Sequence, residues 1–454
     1  MKNTNSAEKM GTMPIYKLVL RMSIPPIISL VINSLYNVVD SIYISNFSEV
    51  AFTAISLAFP IQIVIIAASS GMGVGINSIV SRRLGEKRYH DANNSAEHGI
   101  LISVILSAVL MIIGLFFSKY FFGIFSDDPL LIQYGTIYIK IIMIYSFGRL
   151  IGQAFISILE GSGNMILPMI SQIIGAIVNI ILDPILIFGT VFNIRFCEPM
   201  GIEGAAIATV IGQMCAFIFL IFAYYSKKHV IKLNLKEFSF NREIITDILK
   251  IGSLSALATS LYSIVVIILN MILANISLAG VTALGAYYKL QMAFFMPIFG
   301  FSAGIVPICG YNFGAENYER YKKTVKVGIT YSVAVATIGM IVFLVFPASL
   351  LNIFNLSDEV MKVGIVAFRV IGIVFPLSAI TIILSSSFQA IGRADVSLKG
   401  NLARSFLVLI PSAYILFNYV GIDYGWFCFL AANIFNNIYF IYNYKKITRG
   451  WLTN

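Results

Sequence analysis

The sequence predicts an all-α polytopic membrane protein with twelve transmembrane helices. They form two six-helix bundles related by a pseudo-two-fold axis along the membrane normal. Three observations lead there. The 454 residues are 58% hydrophobic and 11% charged, more apolar surface than a soluble chain of this length can bury. Apolar runs of about 20 residues, each able to cross a hydrocarbon layer of ~30 Å, recur from end to end. An offset of 229 residues carries the first half onto the second with spans, basic loops and glycines in step. The runs are continuous and do not alternate, which excludes a barrel pattern.

The predicted spans, in order, are 18–44, 51–79, 95–118, 134–158, 166–190, 204–225, 251–274, 281–308, 325–347, 363–388, 401–419 and 424–443. The domains follow from them: a cytoplasmic N-terminal segment 1–17, an N-lobe 18–225, a cytoplasmic linker 226–250, a C-lobe 251–443 and a cytoplasmic tail 444–454.

The net charge of +10 raises the question of nucleic acid. Its placement answers it. All Lys and Arg except Lys119, Lys140, Arg149, Arg195, Lys289, Lys362 and Arg369 fall on one side of the predicted topology. The basic side holds Lys2, Lys9, Lys17 and Arg21, then Arg82, Arg83, Lys87 and Arg88. It continues with Lys227, Lys228, Lys232, Lys236, Arg242 and Lys250 in the linker and Arg320, Lys322, Lys323 and Lys326 further on. Arg393, Lys399 and Arg404 read as the loop between spans 10 and 11, and Lys445, Lys446 and Arg449 as the tail. Positive residues stay inside, so both termini are expected in the cytoplasm, with the lipid bilayer as partner and no nucleic acid.

The first dozen residues are polar and lack the layout of a cleaved signal, so span 1 is expected to act as its own insertion signal. Cys197, Cys215, Cys309 and Cys428 are scattered and give neither a disulfide framework nor metal spacing. His90, His98 and His229 read as solvated loop residues.

The repeat is carried by single identities that share one ungapped offset. Thr53-Ala54 maps to Thr282-Ala283, Gln62 to Gln291, and Gly71, Gly85, Gly99 and Gly163 to Gly300, Gly314, Gly328 and Gly392. Six spans return the chain to the side it started from, so the halves are parallel repeats, an arrangement suited to alternating access around a site.

Two acids lie inside apolar runs, Asp40 in span 1 and Asp183 in span 5. A charge there costs about 2.5–3.5 kcal/mol even on lenient insertion scales, and such residues face the bundle interior or a watery cavity. Asn33, Asn37 and Asp40 share one helical face with Tyr36 beside it, and Asn179 and Asp183 share another. The positions equivalent to the acids in the second half are Leu269 and Ser412, so the first bundle is chemically special. Two chemistries fit the acids: a desolvated carboxyl that takes up and releases H+, or an oxygen cluster holding Na+. Capping near the end of span 1 and a kink at Pro184 are the structural alternatives. Lys140, Arg149, Glu160, Lys289 and Arg369 are the other charges within spans. Lys140 and Arg369 are expected to snorkel or pair, Glu160 to open a turn at the cytoplasmic interface, and Lys289, near Met292, to line a cavity or serve as a counter-ion. No nucleophile–base pair or metal cluster marks an enzyme.

Several motifs together resemble the multidrug and toxic compound extrusion (MATE) family. They are Asp40-Ser-Ile-Tyr-Ile-Ser-Asn46, Thr53-Ala-Ile-Ser-Leu-Ala-Phe-Pro60, Gly71-Met-Gly-Val-Gly75, Ser81-Arg-Arg-Leu-Gly85, Asn179-Ile-Ile-Leu-Asp183-Pro184, Gly204-Ala-Ala-Ile-Ala-Thr209, Phe299-Gly-Phe-Ser-Ala-Gly-Ile-Val-Pro307 and Tyr311-Asn-Phe-Gly-Ala-Glu316. The resemblance spans essentially the whole chain. It implies a V-shaped secondary antiporter, monomeric, that expels hydrophobic or cationic organic compounds and drugs in exchange for H+ or Na+, with no other cofactor. It implies a cation site made by Asp40, Asp183, Asn179 and Thr209, which would be the metal ligands if the ion is Na+. Asn33, Tyr36, Asn37, Lys289 and Met292 are the candidates for lining the substrate cavity. Spans 7 and 10 lack the acids of another branch of the family, so coupling is expected in the first lobe. The alternatives are a flippase for lipid-linked saccharides, which would want more inward Arg than Arg149 and Arg369, and a receptor or scaffold that moves nothing.

Overall fold

The computed structural model describes residues 6–125, 128–191, 194–226, 229–234, 236–354 and 356–451. Lys2, Lys227 and Lys228 of the predicted basic side lie outside them. After a short α1 (Ser6–Thr12), the first half of the chain runs α2 (Ile15–Phe47), α3 (Glu49–Gly85), α4 (Tyr89–Phe125), α5 (Pro129–Ile144), α6 (Phe147–Gly161), α7 (Ile166–Phe188) and α8 (Ile202–Ser226). Between α7 and α8 a two-residue ribbon pairs β1 (Thr190–Val191) with β2 (Ile194–Arg195). The second half runs α9 (Arg242–Ala274), α10 (Leu278–Gly314), α11 (Tyr318–Val345), α12 (Pro347–Asn352), α13 (Asp358–Gly372), α14 (Phe375–Ala390), α15 (Ala394–Leu402), α16 (Ile410–Ile415), α17 (Ile422–Gly425) and α18 (Phe427–Gly450). Around α16 the helix widens into π-helical turns at Ala403–Leu409 and Leu416–Val420.

Among the described residues, nine helical stretches are long and apolar enough to cross a membrane. Two bent pairs bring the number to eleven: α5 with α6 (43°) and α13 with α14 (48°). The predicted spans 134–158 and 363–388 are each broken, at residues 145–146 in one half and 373–374 in the other. The same fault at the same place in both halves is the duplication written into the backbone. The predicted twelfth span is α18. Its Asn433, Asn436 and Asn437 lower its hydropathy, yet all three are buried against the protein: Ser378 donates to Asn433 Oδ1 at 3.0 Å, and Asn437 Nδ2 to the Leu377 carbonyl at 3.0 Å.

The chain forms two compact units. The first contains Ile28–Leu84 and Arg88–Gly252 with residues 6 and 7; the second contains Glu8–Ile27, Gly85–Lys87 and the chain from Ser253 onward. Helix α2 thus changes unit just after Pro25-Pro26. Its early part lies against α10 in the second unit because α10 offers glycine there: a Cβ on Gly300 would stand 2.2 Å from Ile27, and one on Gly304 2.3 Å from Ser23. The second unit's core is aromatic, with Phe343 stacked on Phe368 at 4.9 Å and packed on Phe375 at 4.9 Å.

In the first unit, α7 and α8 approach backbone to backbone. A Cβ on Gly212 would meet the Gly175 carbonyl oxygen at 2.6 Å. Small residues permit this contact between membrane helices, where apolar burial supplies little driving force. It sets Asn179 of α7 beside Thr209 of α8.

His98 corrects the expectation of a solvated loop residue. It is fully buried on α4. Its Nδ1 lies 2.8 Å from the Asn94 carbonyl, and its Nε2 accepts from the Asn241 amide at 2.9 Å. Phe238 of the linker covers the ring at 4.8 Å. His229 is likewise partly buried and stacked on Tyr224 at 4.9 Å. The linker packs on α4 and the end of α8, so these imidazoles are not bathed by water.

Candidate functional site

The first unit encloses a cavity of about 490 Å³ whose lining includes Tyr36, Asn37 and Asp40 of α2, Gln62 of α3, Tyr138 of α5, Arg149 of α6 and Thr209 and Gln213 of α8. Asp40 sits on this wall because Tyr36, Asn37 and Asp40 share one helical face. Behind it, Asp183 is fully buried on α7. Pro184 follows it directly and has no N–H, which leaves the Ile180 carbonyl without its helical donor.

The two carboxyls lie within electrostatic reach of each other. Asp40 Oδ1 and Asp183 Oδ2 are both buried with no hydrogen-bond partner. Asn179 Nδ2 donates to Asp183 Oδ1 at 3.2 Å and to Thr209 Oγ1 at 3.4 Å. The structure therefore gathers Asp40, Asp183, Asn179 and Thr209 into one polar cluster within apolar helices. What the cluster lacks is positive charge between its acids. Arg149 and both acids are near enough to Tyr36 to act on it electrostatically, but Arg149 makes no ion pair among the described residues, and its Nε is buried without an acceptor.

The remaining candidates separate. Tyr36 and Asn37 line the cavity. Asn33 instead donates to Gln172 Oε1, tying α2 to α7, and its carbonyl accepts from Asn37 Nδ2 at 2.8 Å. Met292 lines a cavity of the second unit. Lys289 lines neither cavity; it is exposed, with Nζ 5.9 Å from the Phe354 ring centroid. Lys140 and Arg369 are exposed too. Glu160 lies in the last turn of α6, before a turn with Gly163 in the left-handed region (φ 84°), and accepts from Asn77 at 3.3 Å. Arg404 is not in a loop: it falls in the π-helical turn of the span 394–420 and lines the second unit's cavity.

Among the wall residues that sequence reasoning missed are Gln62, Gln213 and Tyr138. Gln62 donates to Tyr138 Oη at 2.9 Å, and the repeat held a signal for it, since its partner Gln291 lines the second unit's cavity. Gln213 lies four residues after Thr209 and so on the same face of α8. Nothing in the local sequence marked Tyr138.

The MatE family model matches this chain twice, over residues 25–185 and 255–415, nearly the offset read from the identities. The multidrug export protein MepA of Staphylococcus haemolyticus (strain JCSC1435) is 26% identical over 410 residues, covering 90% of this chain and 88% of its own. MepA of Staphylococcus aureus (strain MSSA476) is 25% identical over 408 residues, covering 89% and 87%. A solved structure, the outward-facing conformation of a multidrug resistance MATE family transporter of the MOP superfamily, matches with TM-score 0.90 and 25% identity over 99% of both chains.

The two-lobe helical build and the match to multidrug export proteins and MATE transporters make this a polytopic membrane transporter and not an enzyme. The chain belongs to the MatE family.

Proposed function

We propose that this protein is a multidrug exporter of a bacterial cytoplasmic membrane, acting as a monomer with both termini in the cytoplasm. It would move hydrophobic, often cationic, organic compounds outward against an inward flow of one coupling cation held by Asp40 and Asp183. The observation that carries this is the pair of neighbouring carboxyls, each with a buried oxygen that has no donor. Two like charges about 4 Å apart repel by ~4 kcal/mol at an effective dielectric near 20. A single cation between them removes that repulsion. Of the two candidate ions we take H+, because one proton shared by two neighbouring carboxyls removes the repulsion without a further set of oxygen ligands. Asn179 steadies Asp183, and Thr209 steadies Asn179.

The export half of the reading is supported by the multidrug export proteins it resembles across most of their length. The basic residues flanking the spans support the orientation. Ion uptake drives export only if the ion binds the two access states unequally, and a carboxyl pair that opens to one side at a time meets that condition.

The test is efflux of ethidium from energised vesicles under an imposed proton gradient alone, then a sodium gradient alone. Transport under the proton gradient, lost in D40N and D183N while both proteins remain in the membrane, is expected. Full transport in both variants overturns the site, and transport under sodium alone overturns the choice of ion.

A further inference from the structure

The second unit encloses a cavity of about 540 Å³, the size of a drug-like ligand site. Its charge differs from that of the first, whose wall carries both Asp40 and Arg149. Among the described residues, no Asp or Glu lines it, and Arg404 is its one charged side chain. At the repeat offset the first half has Gly175 in place of Arg404, so the charge has no counterpart there.

Arg404 stands inside an apolar span. A guanidinium stays charged in any protein environment, and a charge at that depth is normally paired. Here it makes no ion pair and no hydrogen bond among the described residues, and Nε is buried without an acceptor. The titratable groups around it are the hydroxyls of Tyr262, Tyr287 and Tyr288 and the thiol of Cys428, none of them an acid anion. Its backbone lies in the π-helical turn Ala403–Leu409, a distortion that recurs at functional sites. Gln291 Oε1 and Asn436 Oδ1, also on the wall, are buried without donors. The remaining wall is largely aromatic and hydroxylic.

We propose that this cavity binds aromatic organic acids, with Arg404 holding the carboxylate, the tyrosine and phenylalanine rings holding the ring system, and Gln291 and Asn436 accepting from a hydroxyl or amino group on it. An Arg fork on a carboxylate forms two charge-assisted hydrogen bonds. The carboxylate supplies the missing anion and the ring hydroxyl the missing donor. The inference does not depend on the coupling site and stands even if Asp40 and Asp183 prove inert.

The test is calorimetric binding to the full chain, purified in neutral detergent and chloride-free buffer. The probe is 6-hydroxy-2-naphthoate, set against its neutral isostere 6-hydroxy-2-naphthamide. Wild type is expected to prefer the acid by about tenfold or more, as a charge-assisted pair implies. R404Q is expected to bind acid and amide alike, and R404K to keep part of the preference. Melting temperature and elution profile report whether R404Q is folded. If it is not, the ratio in wild type and in R404K still decides. Equal affinity for acid and amide in wild type, or a preference retained in folded R404Q, overturns the proposal. So does displacement of the acid by chloride at equal affinity, which would make this a halide site, or by stoichiometric phosphatidylglycerol, which would make it a lipid headgroup site.

Discussion

Arg149 and Ser378 hold the same place in the two halves of the chain. Each lies a few residues past the break in its unit's fourth span, and each lines that unit's cavity. The break frees these first turns from the straight line of the helix above and turns them onto the wall. In the second unit the residue is a hydroxyl that donates to Asn433. In the first it is a guanidinium that shares the wall with Asp40. Replacing Arg149 by the residue its repeat uses is therefore a charge test with a natural template. At an effective dielectric near 20, two charges ~10 Å apart interact by ~1.7 kcal/mol. R149S is expected to bind tetraphenylphosphonium roughly tenfold more tightly, with binding of a neutral aromatic of similar size unchanged. Equal changes for both ligands would place Arg149 outside the electrostatics of the cavity.

The acid pair gives a second prediction. Each carboxyl has a buried oxygen without a partner and acts electrostatically on the other, so the two form one unit, and effects within a unit do not add. D40N and D183N should each reduce proton-driven efflux to the vesicle background. The double variant D40N/D183N should be no worse than the worse single one. Neither single variant should melt earlier than wild type, because removing one of two like buried charges relieves repulsion. Efflux and thermal melting on the same preparations read both halves. An earlier melt in both singles would show that the acids hold the fold together.

Thr209 acts at one remove from those acids, through Asn179. T209V keeps the shape and deletes the acceptor of the Asn179 amide, a loss of about 1 kcal/mol. The expected outcome is a coupling cation bound roughly fivefold more weakly, read as a shift in the ion dependence of efflux with the maximal rate little changed. T209S should restore the wild-type dependence. A loss of maximal rate with unchanged ion dependence would assign Thr209 to packing.

Which of these residues could be read from sequence follows from how far each interaction reaches. Asp40, Tyr36, Asn37, Asn179 and Asp183 were legible because spacings of three and four are set by one helix alone. Their joining across α2 and α7 was an expectation of the family resemblance, as was the role of Thr209. Gln62 and Tyr138 meet through the rotation of two helices packed on each other, which no single helix encodes. Lys289 occupies an apolar run but faces out of its unit, where a long side chain can rest on Phe354. Arg404 misled because a charge at the edge of an apolar run reads as a loop, and only the fold shows the helix continuing through it. His98 misled because Tyr89–His98 is polar, and what buries it is a linker more than a hundred residues away. The broken fourth spans left no local mark beyond Pro376 in one half, so each reads from sequence as one span without its break being located.

The last prediction concerns how α7 and α8 keep Asn179 against Thr209. Their backbones touch at Gly175 and Gly212, and the clash that a Cβ would cause is graded: 2.6 Å to the Gly175 oxygen from position 212, 3.1 Å to the Gly212 oxygen from position 175, and nothing within 4 Å at Gly285 of α10. A backbone oxygen cannot swing away as a side-chain end can, so the helices must part. Overpacking of this kind costs ~1–3 kcal/mol. Alanine at an open helical glycine instead gains up to about 1 kcal/mol of helix propensity. Thermal stability should therefore fall in the order G285A, G175A, G212A, with G285A at or above wild type. Efflux should follow the same order, because the Asn179 Nδ2 bond to Thr209 is already 3.4 Å long and does not survive separation of the helices. If G212A melts early but keeps its ion dependence, the bond between Asn179 and Thr209 is not part of the site. If G212A is as stable as wild type, the close contact of α7 and α8 is not what holds the two residues together.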